Sequence, residues 1–127
     1  MIKYGFNKTL AEIMNDASIN LVKSISMDER CTEIYHNRIL REFTNEDLKV
    51  MIDHGVALDI MMPFAIDILE ENIMSEGEEY PGDLLQTASS VNKEYWQQNG
   101  EQKERVQHIL EKNIELLSDV LKHIKAL

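Results

Sequence analysis

Apolar residues recur at helical spacing along the chain, and nowhere do they alternate as in a half-buried strand. Asn7 and Thr9 are candidate caps for a short helix over LAEIM, whose end is obscured by the Ser, Asn and Asp scattered through 15–20. Cys31, Ile34, Tyr35, Ile39 and Leu40 place a second helix over 28–42. Thr44 followed by NEDL is an N-terminal signal: the hydroxyl accepts from an orphan backbone N–H, and Glu46 and Asp47 favour the positive end of the dipole. With Gly55 as a left-handed stop, a short helix over 45–54 turns Leu48, Met51 and Ile52 inward.

The segment LDIMMPFAIDILEENI over 58–73 is apolar almost all round, which marks it as the central helix. Asp59, Pro63, Asp67, Glu70 and Glu71 form its narrow polar stripe. Because Pro63 and the Asp59 carbonyl it leaves without a helical donor share that stripe, water can satisfy the carbonyl, and the proline bends the helix rather than ending it. Asp83 is a candidate cap for a helix over LLQTASSV, 93–98 forms a further turn or the continuation of that helix, carrying Tyr95 and Trp96, and Asn99-Gly100 breaks it. In the last stretch Val106, Ile109, Leu110, Leu117, Val120, Leu121 and Ile124 make a stripe opposite Glu, Lys and Gln, expected to be a wall packed on the core. The fold class is all-α: a compact single-domain bundle of about five or six helices over residues 1–127.

A length of 127 residues and 43% hydrophobic content suffice for one core without metal or disulfide. Cys31 is the lone cysteine, so no intramolecular bridge forms, which fits a reducing cytoplasm. MIKYGFNKTLAEIM lacks the apolar run of a secretory signal, and the longest strongly apolar stretch, IMMPFAI, is bounded by Asp59 and Asp67; neither export nor membrane insertion is expected. A net charge of −10 argues against nucleic acid as a direct ligand. Its distribution is more informative. Residues 1–49 hold eight acids and seven bases, residues 93–127 six and six, and residues 50–92 nine acids and no base. Seven carboxylates stand between Asp67 and Asp83, around a Tyr-Pro-Gly bend, without a cation among them. Such a run is either a solvated face that aids solubility or a surface that receives a basic partner.

His36, His54, His108 and His123 show no i, i+3 or i+4 pairing with one another or with Cys31, so no metal site is expected, and His54 is explained by its place at a helix end. Phosphate loops, EF-hand spacing, HExxH and Gly-x-Ser-x-Gly are all missing. Neither catalytic residues nor cofactors are expected, and the chain does not read as an enzyme.

The stretch LREFTNEDLKVMIDHGVALDIMMPFAIDILEENIMSEGEEYPGDLL, from Leu40 to Leu85, resembles the immunity proteins of bacterial contact-dependent growth inhibition (CDI) systems. The likeness lies in FTNEDL, in Gly55 with Leu58 behind it, in the Pro63 helix ending in ILEEN, and above all in Gly77 with Tyr80-Pro81-Gly82-Asp83-Leu84-Leu85; the Tyr95-Trp96 pair adds to it. The resemblance implies an all-helical cytoplasmic protein that binds and neutralises the C-terminal toxin domain of a cell-surface effector. Many such toxins are nucleases, tRNases included, and a nuclease presents a basic groove. The partner-binding set expected on these grounds is Asp67, Glu70, Glu71, Glu76, Glu78, Glu79 and Asp83, with Tyr80 as the anchor and Trp96 as a second aromatic candidate. An exposed ion pair contributes only about 0–1 kcal/mol while a nanomolar complex needs about 12, so the acids serve encounter and selectivity and a desolvated anchor serves retention. Two other classes compete: a helical adaptor that assembles through the C-terminal helix, and an acidic mimic of nucleic acid that binds a basic protein. Oligomeric state is not legible.

Overall fold

The computed structural model describes residues 7–14 and 28–127. The stretch 15–20, which obscures the end of the first helix in the sequence pattern, lies outside them. Among the described residues the architecture is all-α, with two isolated bridges, Thr9–Ile39 and Glu76–Pro81, as the only β pairing.

Helix α1 (Leu10–Ile13) is capped by Thr9, whose hydroxyl accepts from Glu12 N–H while the Glu12 carboxylate accepts from Thr9 N–H. Helix α2 (Glu29–Asn37) is capped by Asp28. The sequence pattern extended this helix to residue 42, but Arg38 takes an extended conformation and a 3₁₀ turn (Leu40–Glu42) follows. The reason is tertiary. Leu40 N–H donates to Lys8 C=O at 2.9 Å, tying this strip to the segment before α1, and the Arg38 guanidinium reaches both carboxylate oxygens of Asp47 at 2.7 and 2.8 Å.

Helix α3 (Asn45–Asp53) opens on a capping box between Thr44 and Asp47 and ends at Gly55, which takes the expected left-handed φ of +69°. Leu48, Met51 and Ile52 are buried on its inner face, as the spacing predicts. Helix α4 (Leu58–Glu71) runs unbroken through Pro63, burying Ile60, Met61, Met62, Ala65, Ile66 and Leu69. Its polar stripe faces outward, with Asp59, Glu70 and Glu71 exposed. Helices α5 (Asp83–Ser89), α6 (Lys93–Gln98) and α7 (Gly100–Ala126) complete the order. The core is one cluster in which Met51, Met61, Met62 and Leu84 are fully buried. Cys31 belongs to it: burial pushes its thiol up to about 12, with Asp28 adding to the rise, and the S–H points to Met51 Sδ at 3.4 Å.

The C-terminal stripe departs from expectation. Only Ile109 of α7 is buried, Val106 and Leu110 are half-buried, and every residue from Ile114 to Leu127 is exposed, so Leu117, Val120, Leu121 and Ile124 form no wall. A helix of 27 residues spans ~40 Å, whereas α4, with 14, spans ~21 Å. Among the described residues, the body against which α7 leans ends before the helix does.

Candidate functional site

The acidic bend between α4 and α5 is a clamped loop whose cations come from elsewhere in the chain. Lys49 of α3 is 5% exposed, and its ammonium lies 2.8 Å from Asp83, 3.0 Å from Glu79 and 3.2 Å from Glu46. Asp83 is buried beneath the bend. Its carboxylate accepts from the backbone N–H groups of Gly77 at 2.6 Å, Glu79 at 3.1 Å and Tyr80 at 3.4 Å. The local rule cast Asp83 as the cap of α5, yet Gly82 occupies the cap position with φ +91° and the Asp83 side chain turns back to hold the loop before it. Asp83 thus sits inside the loop rather than on its outer surface.

From α3, Glu46 accepts Glu78 N–H at 2.7 Å and Asn45 donates to Glu76 C=O at 3.1 Å. The two motifs that carry the resemblance, FTNEDL and EGEEYPGDLL, are therefore two halves of one contact. Gly77 makes that contact feasible: a Cβ there would lie 2.5 Å from Glu46 Oε1 and 2.7 Å from Lys49 Cδ, displacing the side chains that pass beneath the bend.

The electrostatics follow from this geometry. Burial alone would raise the Asp83 pKa, but the Gly77 N–H, the Lys49 ammonium and the N–H groups of Glu79 and Tyr80 override it and hold the carboxyl well below the usual range. For Lys49 burial pulls downward, and Asp83, Glu79 and Glu46 together push its pKa above the ordinary lysine value. Both groups are charged at neutral pH.

The remaining expected residues divide into two clusters. On α4, Asp67 and Glu70 share Arg105 of α7 at 2.7 and 2.9 Å, which raises the arginine's pKa through Glu70 first and Asp67 second. Exposed Glu71 follows them. On the bend, Glu78 pairs with Arg30 of α2 at 3.0 Å, both at the surface. Three cations, Arg30, Lys49 and Arg105, thus serve Glu46, Asp67, Glu70, Glu78, Glu79 and Asp83, leaving Glu71 and Glu76 without an ion pair among the described residues. Lys49, Glu46 and Arg30 were absent from the expected set, and the local pattern carries no signal for Lys49, whose helical neighbours Asn45, Glu46 and Asp53 are polar.

Tyr80 is 43% exposed on the bend, with its hydroxyl donating to Gln86. Trp96 lies elsewhere. It is half-buried, meets Tyr95 edge-on at 5.8 Å, and lines a groove of about 510 Å³ with Val91, Lys93, Lys103 and Val106. His54 caps the end of α3, with Nδ1 2.8 Å from Val50 C=O and Nε2 3.2 Å from Asp28. Arg30, Glu46, Lys49, His54 and Glu79 line a polar hollow of about 270 Å³ beside the bend.

A family model described as CDI immunity proteins matches residues 12–109, which take in the clamp, the bend and the first part of α7. The chain belongs to the CDI immunity protein family. Membership carries a toxin-neutralising function and a protein partner. The match extends beyond the Leu40–Leu85 stretch in which the likeness is legible by eye, reaching into the N-terminal region and α7. No curated protein and no solved structure matches this immunity protein. No helix among its described residues is long and apolar enough to cross a membrane.

Proposed function

We propose that this immunity protein acts without catalysis in the cytoplasm of the receiving cell, docking its acidic face on the basic groove of a nuclease toxin and excluding the nucleic acid phosphates. The observation that carries the reading is the fixed bend. Asp83 and Lys49 neutralise one another below it, while Glu76, Glu78, Glu79 and Tyr80 are exposed above it. A loop already held by three backbone N–H groups loses little conformational entropy on binding. The surface pair of Glu78 with Arg30 is weak enough to be exchanged for a toxin cation, and the Glu79 carboxylate stands exposed above its Lys49 contact. Glu71, Asp67 and Glu70 extend the negative field that steers encounter.

The test uses the cognate toxin domain and follows association by stopped-flow mixing. Replacing Glu76, Glu78 and Glu79 together by Gln is expected to slow association about tenfold at low salt and to flatten its dependence on ionic strength, with little change in melting temperature. Association that keeps its rate and its salt slope would remove this surface from the interface.

A further inference from the structure

The free half of α7 lies beyond the family match and beyond the acidic face, and it carries a second surface. Leu110, Ile114, Leu117, Leu121 and Ile124 follow one another at spacings of four, three, four and three, the repeat of a seam that pairs with another helix. Ile114 and Leu117 are 65% and 68% exposed, and Val120, Leu121 and Ile124 about half exposed beside them. We propose that this seam is covered by the same seam of a second copy, in antiparallel orientation, to make a two-fold dimer.

Three features select that occupant. The apolar positions are self-complementary under reversal: aligning two helices head to tail about residue 119 sets Ile114 against Ile124 and Leu117 against Leu121, closing four layers with no polar residue among them. Charge is also complementary under reversal. Glu111 and Glu115 precede the midpoint, opposed by Lys112 alone, Asp119 stands at it on the side away from the seam, and Lys122 and Lys125 follow it. Head-to-tail pairing brings Glu111 of each copy beside Lys125 of the other, whereas parallel pairing stacks like on like. Finally, the same alignment lays Leu127 of one copy beside Glu111 of the other, two residues past Ile109, where α7 leaves its body, so the bodies stand at opposite ends. That separation keeps two chains of net charge −10 farther apart than the ~8 Å over which salt screens them. The exposed seam with Val120 and Leu127 presents on the order of 600 Å² per copy, so two copies reach the ~1,200 Å² at which specific interfaces begin.

Sedimentation equilibrium of the full chain tests the proposal. The expected result is a concentration-dependent monomer–dimer equilibrium. Leu117→Asp with Leu121→Asp weakens it more than 100-fold with unchanged helical content and melting of the monomer, since both side chains are exposed there. Glu111→Lys alone weakens dimerisation about tenfold, and adding Lys125→Glu to the same chain restores it to within about threefold. A chain that stays monomeric overturns the proposal, as does a dimer that survives the double aspartate variant. So does a monomeric chain whose aspartate variant loses affinity for the cognate toxin domain, which would assign the seam to the toxin. Failure of the charge swap to restore dimerisation rejects the antiparallel pairing.

Discussion

Lys49→Met is expected to destabilise the chain by about 3–5 kcal/mol, because it removes one member of a buried ion pair and leaves Asp83 charged below the bend. For a domain of this size that lowers the melting temperature by about 10–20 °C. The Lys49–Glu79 contact adds little to the loss, since the Glu79 side chain is 67% exposed. Adding Asp83→Asn to Lys49→Met should recover part of the stability, because the buried carboxylate beneath the bend is then replaced by a neutral amide whose oxygen still accepts from part of the loop. Two losses that simply add would show that Lys49 and Asp83 act independently.

The same pair fixes a pH dependence. The Asp83 carboxyl is harder to protonate folded than unfolded, so its contribution is fully present above the unfolded value of about 3.9 and is lost as pH falls through the folded one. Lys49 has the opposite sign. Its folded pKa is raised, so its contribution is complete below about 10.4 and disappears as pH rises through the folded value. The contribution of the pair is therefore level from about pH 5 to 10. Melting followed by circular dichroism should show a shallower acid slope below about pH 4 in Lys49→Met than in the parent, because Asp83 without its ammonium partner protonates more readily.

The second large effect concerns Tyr80. Tyr80→Ala is expected to weaken toxin binding by about 30- to 100-fold, carried by faster dissociation rather than slower association, since an anchor acts through desolvated contact and not through long-range attraction. Stability should change little, because the ring is 43% exposed and its hydroxyl bonds only to Gln86 at the surface. The Gln triple variant should show the reverse signature, slower association with dissociation nearly intact. Surface plasmon resonance separates the two. A Tyr80→Ala protein that dissociates at the parent rate would strip the anchor role from this residue.

The parts of this fold legible in the sequence are those set within a few residues of themselves. Thr9 and Thr44 cap α1 and α3 because a side chain, its acceptor geometry and the next three amides are enough to close the end of a helix. The inward face of α3 and the apolar girth of α4 follow from period alone. What escaped was decided at long range. Arg38 ends α2 because Asp47 and Lys8 wait for that strip, and neither is visible from a pattern that continues helically to Leu40. Asp83 looks like a cap locally, but the amides it satisfies lie behind it.

Charge balance is set at long range as well. A run of acids without a neighbouring base along the chain says nothing of bases that fold onto it: Arg30 lies 48 positions from Glu78, Lys49 34 from Asp83, and Arg105 38 from Asp67. The bend is acidic nonetheless, but the carboxylate that shapes it and those exposed on it are different residues. The amphipathic pattern of α7 was legible and its surroundings were not, since periodicity gives the face of a helix that is apolar and not the length over which a body meets it.

The most direct test of the acidic-face account is a crystal structure of this chain bound to its cognate toxin domain. The expected complex buries Glu76, Glu78 and Tyr80 against basic toxin residues, leaves Asp83 and Lys49 paired as they are in the free chain, and shows the bend unmoved. A toxin seated elsewhere, with Glu76, Glu78 and Tyr80 open to solvent, would contradict it.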